Sequence, residues 1–158
     1  MNVRRPWRSA SVYACAAMVA ATVSAASADA PKLPYATTPT VGQTVRLDGT
    51  LGGEKTAWAY VDQHWLERYL DVTIDAASTN RPYGDVEVQN QLKAIADHVT
   101  VVPNGTKASV ETVQPFSYGG RLDMEVRVMI QEGPMRGKEL WTTCAELVDS
   151  AGHSYLRM

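Results

Sequence analysis

The sequence is short of the residues that carry most protein chemistry. It has two cysteines, three histidines and one phenylalanine in 158 residues. His64, His98 and His153 are scattered, with no H-x-x-x-H, C-x-x-C or H-E-x-x-H spacing, so no metal site is legible. No glycine-rich phosphate loop is present. No apolar run reaches the roughly 20 strongly apolar residues of a membrane-spanning helix. A basic excess is also missing, with 15 Lys and Arg against 17 Asp and Glu, which argues against a nucleic-acid or anionic-membrane partner. No cofactor and no catalytic constellation are expected.

What is present begins with an export signal. Arg4, Arg5 and Arg8 precede a short, Ala-rich apolar stretch from Ser11 to Ala26, which ends in small-x-small sequence. This is the pattern of a cleaved secretory signal peptide. Cleavage after Ala28 is favoured over cleavage after Ala30, because the latter places Pro31 next to the cut. Val12-Tyr13-Ala14 is a poor lipobox for Cys15, and the flanks of Arg4-Arg5 do not fit a twin-arginine signal. The expected location is the periplasm or the exterior, with no stable membrane span after signal removal. Without its three arginines, the mature chain keeps 12 of the 15 basic residues and all 17 acidic ones, a formal charge near −5. It also keeps only Cys144, which excludes an internal disulfide.

Residues 29–44, rich in Pro, Thr and Gly, read as an extended N-terminal arm. Residues 45–158 are expected to form one domain, with a helical part at 62–98 and a barrel at 99–158. Val45-Arg46-Leu47 and Trp58-Ala59-Tyr60 are short strand candidates. Asp62 precedes a helix from about Gln63 to Ala76, with Trp65, Leu66, Tyr69 and Leu70 on one face. Asp85 caps a second helix with Val88, Leu92, Ile95, Ala96 and Val99 as its stripe. The period then becomes alternating. Strands are expected at 99–102, 108–113, 124–130 and 138–143, a helical turn at 145–148, and a closing strand at Tyr155-Leu156. Gln114 to Gly120 reads as a loop and Glu132 to Gly137 as a hairpin turn.

The stretch from Leu92 to Val148 resembles small SH3-like barrels of bacterial exported and envelope proteins. The resemblance is carried by Gly105-Thr106-Lys107-Ala108-Ser109-Val110, Val126-Arg127-Val128-Met129-Ile130, Gly133-Pro134-Met135-Arg136-Gly137-Lys138-Glu139-Leu140-Trp141 and Ala145-Glu146-Leu147-Val148. Leu140 stands where the family usually has Gly, and Thr142-Thr143 where it has Val-Pro. The resemblance implies an α+β fold, with two helices beside a small, mostly antiparallel SH3-like barrel and Trp141 in its core. The Gly-Pro hairpin is also similar to RNA-binding KOW motifs, but export and negative charge argue against that role.

The expected function is that of a non-catalytic interaction or binding module of the cell envelope. Its partner would be an envelope protein, a peptide or a cell-wall component. Phe116, Tyr118 and Trp141 are the candidate contact residues, since aromatics near that loop border the groove of SH3-like domains. Two other readings compete. A small periplasmic hydrolase or metal-assisted enzyme would draw on His64, His98 or Cys144, and an accessory or inhibitor protein of an envelope enzyme would use the N-terminal arm. Asp71 and Asp75, four apart, read as a solvated helix face, and Asn104-Gly105-Thr106 as a turn rather than a glycosylation site.

Overall fold

The computed structural model describes residues 37–49, 54–118 and 121–155. The export segment, residues 29–36 of the arm, and Leu156 lie outside them. Seven strands form one antiparallel half-barrel sheet: β1 (Thr44–Leu47), β2 (Thr56–Tyr60), β3 (Val99–Pro103), β4 (Lys107–Tyr118), β5 (Arg121–Ile130), β6 (Glu139–Thr143) and β7 (Leu147–Val148). Their order is β3-β2-β6-β5-β4-β1-β7. Helices α1 (Gln63–Ser78) and α2 (Val86–Ala96) leave the sheet after β2 and return to it at β3. The α+β class is therefore correct. β2 lies between β3 and β6, and β1 between β4 and β7, so the first two strands are integral to the sheet.

Both helices start where an aspartate can cap them. Asp62 accepts the Trp65 N–H and Asp85 accepts those of Glu87 and Val88, satisfying donors that the first turn leaves open. Leu66, Leu70, Val72, Thr73 and Ala76 of α1 are buried, as are Val88, Leu92 and Ile95 of α2. Arg81 ties the connection together through Asp75 and Glu87, both at 2.9 Å.

Two cores lie on opposite faces of the sheet. Val45, Leu47, Ala57, Ala59, Val102, Ala108, Val110, Val126, Val128, Ile130, Leu140 and Leu147 fill the inner one. The other cluster holds the helix residues with Tyr60, and Trp65, Tyr69, Val99, Phe116 and Trp141 pack against it. Strand alternation decides the assignment. On β6, Leu140 and Thr142 are buried inward, so Trp141 faces the helices rather than the barrel core expected for it. On β4, the register shifts between Val110 and Thr112, a bulge at Glu111. The extra residue moves Val113 to the inner side and sends Gln114 and Phe116 to the helix side. The expected loop at 114–120 is, through Tyr118, a continuation of β4 paired with β5.

β2 and β6 meet at one rung, Tyr60 opposite Trp141. Beyond it, side chains close the gap. Thr142 Oγ1 donates to the Trp58 carbonyl at 3.0 Å, and the Trp58 N–H donates to Glu146 Oε2 at 2.8 Å. Glu146 lies in the 3-10 turn Cys144–Glu146 that enters β7, where the sequence suggested a helical turn through 148. Asn104 secures the β1–β2 connection, accepting from Gly49 N and donating to Glu54 O. The arm is attached from Pro39 onward. Pro39 is buried, the Gly42 N–H donates to Val110 O, and Gln43 Nε2 donates to the Tyr155 hydroxyl. Ser154 forms the last bridge, to Val148.

Candidate functional site

The α1–α2 pair presents an open groove of about 720 Å³ on its outer side. Trp65 and Arg68 of α1 line it together with Val86, Glu87, Asn90, Gln91, Ala94 and Ile95 of α2 and the capping Asp85. Helical spacing explains the set, because positions 86, 90 and 94 follow one another along a single face of α2. Ile95 is buried at the floor, whereas Val86 on the rim is 75% exposed. Trp65 is held by aromatic neighbours. His98 stacks on it with ring centroids 3.6 Å apart and planes 6° from parallel, and His64 meets it edge-on at 5.2 Å.

The sequence candidates are distributed differently. Phe116 and Trp141 are half-buried and pack against the helix-side cluster. The Arg127 guanidinium lies 6.0 Å from the Trp141 ring centroid and 3.3 Å from Glu139. Tyr118 ends β4, and its side chain is outside the described set. His64 and His98 both contact Trp65, while His153 is exposed beside Asp149 in the C-terminal turn. That turn holds the Asp149 carboxyl below its ordinary range, chiefly through the backbone N–H of His153.

Cys144 sits inside the inner core, where burial pushes its thiol up to about 12. A thiol so held carries almost no thiolate at neutral pH, and the thiolate is the nucleophile. Asp75 is committed to Arg81. Burial raises Asp71, with Arg68 opposing and Glu67 adding to the shift. Among the described residues, no three His, Cys, Asp or Glu side chains are grouped to hold a metal. The Asn104 amide is engaged at both ends, in keeping with a turn rather than a glycan acceptor.

No protein-family model, curated protein or solved structure matches the chain.

One buried acid lies between the sheet and α1. Glu125 alternates with the core residues of β5 and looks like a solvent-facing acid, yet it is only 1% exposed. It is covered on the helix-side face and hydrogen-bonded to Gln63 of α1 and Gln114 of β4, both at 3.1 Å to Oε2. Its carboxyl is raised above the ordinary range by burial, with Glu67 and Asp123 adding to the shift and the two amides opposing it. The only advance signal was Gln63 in the first turn of an amphipathic helix, and its pairing across 62 positions is invisible in one chain.

Proposed function

We propose that this chain is a non-catalytic interaction module of the bacterial cell envelope, exported by its N-terminal segment and built on an SH3-like barrel. The α1–α2 groove serves as its contact surface, and a peptide segment of an envelope protein is the partner it suits. The observation carrying this reading is the groove's make-up. An indole braced by His98 and an exposed Val86 sit among the hydrogen-bonding side chains of Arg68, Glu87, Asn90 and Gln91. Apolar anchors ringed by polar groups are what a protein-binding surface needs. No cofactor is invoked. A hydrolytic role gains no support from Cys144, whose thiol stays protonated in the core.

The test is affinity capture from periplasmic extract with the full chain and with Val86→Asp. Val86 is exposed on the first turn of α2, so the variant leaves the cores intact. A stoichiometric protein retained by the wild type and lost by Val86→Asp is the expected result. Equal retention by both chains removes the groove, and co-sedimentation with purified peptidoglycan without any protein partner replaces the partner class.

A further inference from the structure

Glu125 is an acid buried in an unusual way. Its Oε2 accepts two N–H groups, one from Gln63 Nε2 and one from Gln114 Nε2, each at 3.1 Å. Its Oε1, equally buried, has no hydrogen-bond partner. The donors are neutral amides, and no cation pairs with the carboxyl among the described residues. The same Gln63 nitrogen also donates to Glu67 Oε1 at 2.8 Å, so two acids share one amide. The charges that act on it are negative and come from α1 and from β5 itself. Glu67 lies on α1 and Asp123 on β5 itself. Arg127, next on the same face of β5, is turned to Glu139 and Trp141. Across the sheet, Glu125 faces Gln114 on β4 and Thr143 on β6, neither of them charged.

A buried carboxylate with no positive partner and one bare oxygen carries a large desolvation cost, which such groups avoid by taking a proton. The donor count fits that form. In a carboxylic acid the carbonyl oxygen can accept two N–H groups while the hydroxyl oxygen accepts none, which matches the arrangement at Oε2 and Oε1. We propose that Glu125 is a proton-operated latch, which binds one proton on Oε1 and in that form fastens the first turn of α1 to the β4–β5 hairpin. Loss of the proton to water places a bare negative charge between Glu67 and Asp123 and loosens the joint. This device is independent of the groove and does not rest on the function proposed for it.

The direction with pH follows from linkage. Burial raises Glu125 above the ordinary range of a glutamate, so the native chain holds this proton more tightly than the unfolded chain does. The contribution is fully present below the unfolded value and is lost as pH rises through the raised native one.

The test compares urea midpoints of the full chain, Glu125→Gln and Glu67→Gln from about pH 4 to 8. Gln at 125 imitates the neutral acid, with its carbonyl in the place of Oε2. The variant is expected to match the wild type at the acid end, exceed it at the alkaline end and lack its fall. Glu67→Gln, which removes one repelling charge, is expected to show a smaller fall. Hydrogen exchange at the amides of Glu67–Leu70 should show extra opening at alkaline pH in the wild type and none in Glu125→Gln. A Glu125→Gln profile parallel to the wild type, a lower midpoint at the alkaline end, or failure of Glu125→Gln to fold at any pH overturns the latch.

Discussion

Single residues carry more of this architecture than their types suggest. Gly49 is required for want of space. A Cβ built there lies 2.0 Å from the Thr56 carbonyl oxygen on the neighbouring backbone. Gly49→Ala is therefore expected to cost about 3 kcal/mol, the upper end of the range for forcing atoms into a packed site, read as a lower urea midpoint with an unchanged slope. Cys144 is the opposite case, a reactive residue type made inert by position. With its thiol pushed up to about 12, it should resist a thiol reagent in the native chain at neutral pH and react on unfolding. Reaction at the rate of a free thiol would contradict its place in the core. The sequence sets this cysteine directly after an alternating strand, a pattern that goes with burial. It gave no hint of Glu125, since a carboxylate in alternation with valines looks the same whether water or a helix covers that face.

At the scale of elements, caps and periods were the legible signals, and the joints between elements were not. Asp62 and Asp85 start the two helices within a residue of where their side chains indicated. The alternation of Met124, Val126, Val128 and Ile130 sets all four on the inner face of β5. The bulge at Glu111 defeated the same logic on β4, because one added residue reverses the faces after it. Phe116 thus moved from an expected loop to the sheet face under the helices. The seam between β2 and β6 was equally invisible, as it depends on Thr142 and Glu146 reaching the Trp58 backbone across the fold. Glu146→Ala should cost about 1–3 kcal/mol, typical of removing the acceptor from a buried donor. Glu146→Gln should keep most of that stability, because its amide oxygen still accepts. Equal losses in a denaturation experiment would mean that the charge, rather than the hydrogen bond, holds the seam.

For the whole molecule, the strands that precede the helices join the same sheet as those that follow them. Local patterns identify strands but not their neighbours, and β1 and β2 reach their places through partners far along the chain, Ser109 for Thr44 and Val102 for Ala57. Because one sheet forms a wall of both cores, the described part should unfold in one cooperative step. Tryptophan emission from Trp58, Trp65 and Trp141 should then follow far-ultraviolet dichroism through the same transition, and two separated transitions would show that the helices melt on their own. The rung between Val61 N and His98 O, 3.1 Å long, marks where the chain departs from the sheet and rejoins it. Everything between these two positions is an excursion that begins and ends on neighbouring strands, as a tight β-turn would. In engineering terms the helix pair is a cassette. A short turn spliced between β2 and β3 would preserve the ladder while uncovering Tyr60, Phe116 and Trp141 as an adhesive aromatic face, and a different helical cassette of similar span would give the same sheet a new outer surface.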